Sequence, residues 1–276
     1  MRTILLPDAV RYATISAAEL RTHFLIDNLF TAGRIDRIWC DADRAIIGSA
    51  VPIEKPLPLE AVPEMRSAFF CERREIGILN IGNPGAVTVD NKVYAMDNLD
   101  CLYVGMGCKD IRFSSQTPEK SARFYLLSYP AHRDYPVTLA RRADAQAVKL
   151  GTAATCNSRT IYKFIHPDAT KSCQLVMGFT QLDSGSVWNT MPPHTHLRRS
   201  EVYLYFNMAP DVRVFHLMGR PDETRHLVIA DQQAVVSPAW SIHAGAGTAA
   251  YAFCWGMGGE NQAFNDMDAL TTGDLI

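Results

Sequence analysis

Met191-Pro-Pro-His-Thr-His-Leu-Arg-Arg-Ser-Glu-Val-Tyr-Leu-Tyr-Phe206 is the stretch on which the reading of this chain turns. It sets His194, His196 and Glu201 within eight residues, at the start of an alternating strand pattern. Residues two apart in a strand point to the same face, with Cα atoms roughly 6.5–7 Å apart. His194 and His196 therefore aim both imidazoles at one point. Glu201 lies an odd number of residues from each, so an unbroken strand would turn it away. The polar run Leu197-Arg-Arg-Ser200 offers a turn or bulge that resets the phase. Beyond it Glu201, Tyr203 and Tyr205 share one face, expected to line a cavity, while Val202, Leu204 and Phe206 share the other.

A fourth donor, His243, sits in the turn-rich Ser237-Pro-Ala-Trp-Ser-Ile-His-Ala-Gly-Ala-Gly247. Its context suggests a fixed loop. Pro238 ends one strand, and Gly245 and Gly247 permit a tight return. Three imidazoles and one carboxylate suit a borderline metal: zinc first, with Fe(II), Mn or Ni left open by ligand type alone. A lone histidine in a strand is usually a core or surface residue. That bland reading is taken for His216, His226, His23, His132 and His166, none of which has a partner at ligand spacing.

Outward from this stretch the chain reads as β-rich. Residues 14–30 are the exception, expected as a helix capped by Ser16 with Glu19. Residues 35–51 and 68–81 are rich in β-branched and aromatic side chains. Residues 86–94 read as a hairpin with Asp90-Asn91 at its tip. Strand patterns continue at 102–104, 111–114 and 123–129. A less patterned connection over 130–158 precedes a second β series at 160–165, 173–182, 201–207, 213–218, 226–230, 234–237 and 250–256. Residues 265–276 are expected as a short helix or tail. Short strands at regular spacing suggest sandwiches or barrels, in two halves, 1–150 and 151–276. Arg73-Arg-Glu-Ile-Gly-Ile-Leu-Asn80 echoes Arg198-Arg-Ser-Glu-Val-Tyr-Leu-Tyr205, a hint of internal repetition. No histidine lies between His23 and His132, so only the second half is equipped for a histidine-rich metal site.

Composition narrows the function classes. With 276 residues, 47% apolar and 20% charged, the chain is expected to form a soluble globular protein. A net charge of −2 offers no basic field for nucleic acid or anionic lipid. The N-terminal residues lack the apolar core of a signal peptide, and no run approaches the ~20 apolar residues of a membrane span. Seven scattered cysteines without a CxxC pair are expected as reduced, mostly buried thiols of a cytoplasmic protein.

The HxH-x4-E spacing, with a histidine some forty residues later, is the cupin metal pattern. More of the chain is specific. Trp188-Asn-Thr-Met-Pro-Pro-His-Thr-His196, Arg198-Arg199, Glu201-Val-Tyr203, Phe206-Asn-Met208, Gly219-Arg-Pro-Asp-Glu-Thr-Arg-His226, Ser237-Pro-Ala-Trp-Ser-Ile-His243 and Trp255-Gly-Met-Gly-Gly-Glu-Asn-Gln262 resemble the 5-keto-4-deoxyuronate isomerases, also named 4-deoxy-L-threo-5-hexosulose-uronate ketol-isomerases. Glu72-Arg-Arg-Glu-Ile-Gly77 and Asn80-Ile-Gly82 extend the likeness to the first half. The resemblance implies an all-β-dominated bicupin: two double-stranded β-helix (jelly-roll) barrels with a few short helices. It implies one zinc per subunit, held by His194, His196, Glu201 and His243, and a homohexamer. It implies isomerisation of 5-dehydro-4-deoxy-D-glucuronate to 3-deoxy-D-glycero-2,5-hexodiulosonate in pectin and uronate catabolism. Leu197 departs from the family, where an acidic residue stands. It points away from the ligands and so bears on the cavity rim or a subunit contact.

An aldose–ketose isomerisation needs a polarised carbonyl oxygen and, for a uronate, a carboxylate partner. Candidates beyond the ligands are Arg159 and Lys163, four apart on one strand face, and Tyr203 on the Glu201 face. Glu201 is itself a catalytic candidate. Glu260 and Gln262 follow a Gly-rich turn that could reach the mouth. Two other classes fit the same ligands: an Fe or Mn cupin dioxygenase, and a non-catalytic sugar-sensing or storage-like bicupin in which the metal only organises the barrel.

Overall fold

The structure, a computed structural model, describes residues 1–263 and 265–276. The chain forms two compact units. The first comprises Met1–Ile4, Asn28–Ala145 and Phe164–Val176; the second comprises Leu5–Asp27, Gln146–Lys163 and Met177–Ile276. The main change of unit, between 145 and 146, falls a few residues before the 150/151 boundary read from the sequence. Sequence patterning did not reveal that 5–27 join the second unit and 164–176 the first.

Each unit is a jelly-roll barrel built from a seven-stranded and a four-stranded sheet. In the first, the large sheet runs Arg2–Ile4, Ile35–Cys40, Ile46–Ala50, Phe124–Pro130, Arg74–Asn80, Cys101–Val104, Thr138–Ala140. In the second it runs Gln146–Leu150, Arg159–Ile165, Val176–Leu182, Ala252–Gly259, Arg199–Phe206, Gln233–Ser237, Leu25–Ile26. The small sheets are Leu57–Pro58, Ile111–Ser115, Gly85–Val89, Lys92–Met96 and Trp188–Asn189, Ile242–Gly247, Val214–Arg220, Glu223–Ile229. The strand orders correspond one for one, so the repeat hinted at in the sequence is a structural repeat. The outer strands of the large sheet are the exceptions: Arg2–Ile4 runs parallel to its neighbour where Gln146–Leu150 runs antiparallel, and the second unit draws its last strand from the N-terminal segment.

That borrowed strand corrects the expected helix over 14–30. The capping box forms as read: Glu19 N–H donates to Ser16 Oγ, and Ser16 N–H donates to Glu19 Oε2. The helix nevertheless spans only Ala17–Phe24, because Leu25 and Ile26 pair with Val235 and Ala234. Two apolar residues gain more from a sheet edge, where their backbone bonds and side chains are both buried, than from two further helical residues. The hairpin is as expected. Val89 pairs with Lys92, and Asp90 and Asn91 take φ of 45° and 70°, the left-handed pair of a tight I′ turn. Two strands inside the unpatterned connection, Thr138–Ala140 and Gln146–Leu150, escaped the sequence reading. Both are exposed or half-buried edge strands with weak alternation.

The barrel interiors differ in chemistry. The first is packed dry with Ile46, Ile76, Ile78, Val87, Leu102, Phe113, Phe124 and Leu126. In the second, Tyr203, Tyr205, His216, Tyr251 and Phe253 pack against one another with ring centroids 4.8–6.2 Å apart. A barrel lined by hydroxyls and imidazoles is one that leaves room for a polar site. All seven cysteines are free, four of them buried. Among the described residues, no helix is long and apolar enough to cross a membrane.

Candidate metal centre

His194 stands on a two-residue strand, His194–Thr195, paired with Asp268–Ala269. A turn follows, closed by a bond from Arg199 N–H to the His196 carbonyl, and Arg199–Phe206 then enters the large sheet. The turn does what the sequence required. It restores Glu201 to the side that His194 and His196 face. His243 arrives from the small sheet, on Ile242–Gly247, where it lies opposite Met218. This corrects the expected fixed loop. Gly245 and Gly247 are strand residues and make no return. A Cβ on Gly245 would stand 2.9 Å from Asn189 Nδ2 and 3.1 Å from the Tyr205 hydroxyl, so glycine is there to make room.

The four donors converge. The ligand atoms of His194, His196, Glu201 and His243 lie within 4.8 Å of one another, and among the described residues this is the one such group. Nε2 of His243 is 3.0 Å from Nε2 of His194, and Glu201 Oε2 is 3.1 Å from His196 Nε2 and 3.0 Å from His243 Nε2. His196, Glu201 and His243 are 2%, 4% and 0% exposed.

The donor set fits a metal ion on two grounds. Donors on a tetrahedron with bonds of about 2.0–2.2 Å stand roughly 3.3–3.6 Å apart, within the observed spread. Protons are also too few for the acceptors. His196 Nδ1–H donates to the Arg199 carbonyl at 2.9 Å, so Nε2 can donate to the facing carboxylate oxygen only if the ring carries a second proton, and otherwise presents it a lone pair that a metal ion would satisfy. That bond fixes ring and tautomer as an outer-shell partner does for a metal-ligating histidine. Burial, aided by the charge of His243, pushes His194 down to about 3, so it is a neutral donor at ordinary pH. Burial alone would raise Glu201. The charge of His243 and hydrogen bonds from His196 and His243 outweigh it and hold the carboxyl well below the usual carboxylate range. Burial likewise opposes protonation of His196, but its bond to Glu201 and the adjacent carboxylate charge leave its affinity for a proton raised. A cation is what this cluster is short of.

His194, His196 and Glu201 line a cavity of about 270 Å³, with Tyr203, Arg199, Thr180 and Thr190 as its polar wall and Met191, Pro192, Phe253, Trp255 and Met257 as its apolar one. His243 is fully buried and does not reach the cavity surface. Arg159 and Ile161 line it from the neighbouring strand; Lys163, two residues on, does not. Arg159 is partly desolvated, its guanidinium pushed down by burial despite Tyr203 and Tyr251, and Nη1 donates to the Asn157 carbonyl. The Tyr203 hydroxyl is 3.2 Å from Thr190 Oγ1, and burial beside Glu201 keeps it protonated. Tyr205 does not line the cavity; its hydroxyl lies 2.7 Å from His216 Nδ1. Glu260 and Gln262 are not in the wall. His216, fully buried, His226 and His23 remain outside the cluster, as the bland reading had it.

Sequence reasoning missed the segment that holds the ligand loop. Arg198 pairs with Asp266 at 2.6 Å and with Asp268 at 3.1 Å. The buried Arg199 donates from Nη1 to the Ala263 carbonyl and from Nη2 to that of Asp266. Leu270 N–H donates to the Pro193 carbonyl. The C-terminal strap thus braces both ends of the His194–His196 segment, and Met267 joins the cavity wall. The one sequence signal for it was the opposed charge of Arg198-Arg199 and Asp266/Asp268.

Two jelly-roll barrels in one chain, one of them carrying a three-histidine, one-carboxylate cluster at its cavity, define a bicupin with a candidate metal centre. Solved structures agree on the fold. An IolB-like protein from Salmonella typhimurium LT2 superposes with a TM-score of 0.75 at 12% identity, over 90% of this chain and 96% of that one. An oxalate decarboxylase of Lactobacillus farciminis does so with a TM-score of 0.61 at 7% identity, over 89% of each. The chain belongs to the KduI/IolB family, whose model matches residues 55–271. Proteins named 4-deoxy-L-threo-5-hexosulose-uronate ketol-isomerase are similar over nearly their full length. The one from Bacillus subtilis (strain 168) is 50% identical over 96% of this chain and 95% of its own. The one from Lachnoclostridium phytofermentans is 50% identical over 100% and 99%. The chain is an enzyme of the isomerase class.

Proposed function

We propose that this chain is a zinc-dependent ketol-isomerase, with one zinc per subunit, that converts 5-dehydro-4-deoxy-D-glucuronate to 3-deoxy-D-glycero-2,5-hexodiulosonate in pectin and uronate catabolism. It acts in the cytoplasm as a homohexamer. One observation carries the reading: His194, His196, Glu201 and His243 converge at a cavity whose wall holds the cation Arg159. The name shared by near-full-length relatives supports the choice of substrate.

Zinc held by His194, His196, Glu201 and His243 would supply a Lewis acid for a carbonyl oxygen. The chain's own groups do the rest. The reaction carries one hydrogen from C2 to C1 and one proton from the C2 hydroxyl to the C1 oxygen. Arg159 takes the substrate carboxylate in a charge-assisted bond and thereby orients the C1–C2 end. Tyr203, kept protonated, donates a hydrogen bond to the oxygen on which negative charge develops. Glu201 directs Oε2 at two imidazoles, which leaves Oε1 to take the proton from C2 and return it to C1 of the enediol, while the C2 hydroxyl proton passes to the C1 oxygen. Met191, Pro192, Phe253, Trp255 and Met257 exclude water, which strengthens each of these bonds. Lys163, outside the wall, has no part in this scheme.

The test is to follow the unsaturated-uronate product by NMR with pure, metal-loaded protein. Conversion without oxygen uptake is expected; no turnover would overturn the reading, and oxygen consumption would favour a dioxygenase. Glu201→Gln should lower both turnover and metal content, with kcat down by about 10²–10³. Full activity in that variant would remove Glu201 from both roles.

A further inference from the structure

The structural repeat places Arg74 of the first barrel where Arg199 stands in the second. Each opens the corresponding strand of the large sheet, Arg74 opposite Pro130 and Arg199 opposite Gly259. The position two residues on, which holds Glu201 in the second barrel, holds the core residue Ile76 in the first. The first barrel therefore has no metal centre at this place. It has a cavity of about 820 Å³, whose wall carries Arg44, Arg73, Arg74 and Trp39.

The charge of this cavity is not balanced. Arg74 Nε and Nη2 donate to Ser128, and Nη2 also to the Arg44 carbonyl. Arg73 donates to the Arg66 carbonyl and to Ser67 Oγ. All these partners are neutral. Among the described residues none of the three guanidinium groups has an ion pair, whereas Arg34, Arg112, Arg141, Arg198 and Arg220 each have one. The one acidic side chain in the wall, Glu64, is already 3.2 Å from the Met1 ammonium. Burial, reinforced by Arg44, pushes Arg74 down to about 10, the mark of a cation held without a counter-charge. Trp39 packs against the barrel core from the same wall and offers an aromatic surface beside these cations.

We propose that this cavity is a second, non-catalytic ligand site that binds a small sugar acid. Its carboxylate or phosphate sits among Arg44, Arg73 and Arg74, and its ring lies against Trp39. Planar guanidinium groups take either anion through paired hydrogen bonds, and 820 Å³ is within the range of small-molecule sites. A neutral sugar lacks the group that the arginines require.

The experiment is isothermal titration of the full chain carrying His194→Ala, His196→Ala and Arg159→Ala, so that both the metal centre and the carboxylate partner in its cavity are disabled and binding is read elsewhere. The probes are D-galacturonate, glucose 6-phosphate and neutral D-galactose. One of the two acids should bind at one site per chain, and which one identifies the anion. Adding Arg44→Ala and Arg73→Ala, both exposed side chains, should weaken that binding at least tenfold while circular dichroism stays unchanged. Addition of salt should weaken it as well. No binding of either acid, equal binding of D-galactose, or equal binding by the arginine variant would overturn the proposal. The readout does not involve turnover, so its failure is separate from that of the isomerase reading.

Discussion

In the proposed reaction Arg159 is the residue whose substitution should separate binding from chemistry. It lies in the cavity wall, partly desolvated, and Nη1 alone of its donors is committed to a backbone carbonyl. A charge-assisted bond of this kind contributes about 1.5–3 kcal/mol. Arg159→Ala should therefore lower kcat/KM by about 10–100-fold, mostly through KM, and Arg159→Lys should restore only part of it. Steady-state kinetics on the two variants decides; an unchanged KM would place the substrate carboxylate elsewhere. His216 supplies a pH prediction. Burial, with the charge of His243 beside it, pushes its imidazole down to about 3 from 6.5. The folded state thus keeps His216 neutral where the unfolded chain protonates it. Stability should be flat above pH 6.5 and fall as pH drops from 6.5 towards 3, by up to about 1.4 kcal/mol per pH unit for this group. Urea unfolding of His216→Gln between pH 5 and 7 should have a slope shallower by one proton than the parent chain. Parallel slopes would show that His216 is not the group responsible.

At the scale of elements, the strap, residues 261–263 and 265–270, and the ligand loop act as one unit. Arg199 links them. Its guanidinium bonds to the strap, and its carbonyl receives the Nδ1 proton of His196. Removal of an outer-shell partner costs about 10–100-fold in metal affinity. Arg199→Ala keeps that carbonyl but removes the guanidinium that ties the loop to the strap, so its loss should fall at the lower end of that range, about tenfold, measured by competition with a chromophoric chelator. Arg199→Lys should do little better, because a single ammonium cannot reach two carbonyls in fork geometry. Arg198→Ala, whose ion pairs are more exposed, should cost less than Arg199→Ala; the reverse order would place the bracing force in the salt bridges. Local patterning made the Glu201 strand, the hairpin at Asp90-Asn91 and the cap at Ser16 legible. It did not reveal the short strand Leu25–Ile26, the strand carrying His243, or the strap. Those segments are too short, or too rich in glycine, to carry a period of their own. They become strands only because a partner strand lies alongside.

At the scale of the whole molecule, the four ligands belong to one unit, so metal removal should act on that unit alone. A ligand that binds only the folded state stabilises it by RT ln(1 + [L]/Kd), about 4 kcal/mol at a thousandfold excess over Kd. Chelation should lower the unfolding temperature and speed amide exchange in 191–206 and 240–247, while the core strands around Ile76, Ile78 and Phe124 keep their protection. Uniform loss across both units would mean that the two unfold together. Light scattering on the holo protein tests the homohexamer.

The amino-acid sequence by itself determined the ligand types, the strand phase that aligns His194 with His196, the need for a turn before Glu201, and the doubling of a β-rich pattern. These are properties of neighbours along the chain, where side-chain direction follows from a period of two. The tertiary structure alone decided that Glu75, the apparent echo of Glu201, faces away. It stands one residue after Arg74 where Glu201 stands two after Arg199, and a single-residue slip reverses the face. Instead Glu75 is buried against the backbone N–H groups of Cys173, Gln174 and Leu175. Tertiary structure also decided which distant strand brings His243 to the cluster and which segment braces Arg199. Such pairings join residues about fifty to seventy apart. They depend on which apolar faces can be buried together, and no local period encodes that choice.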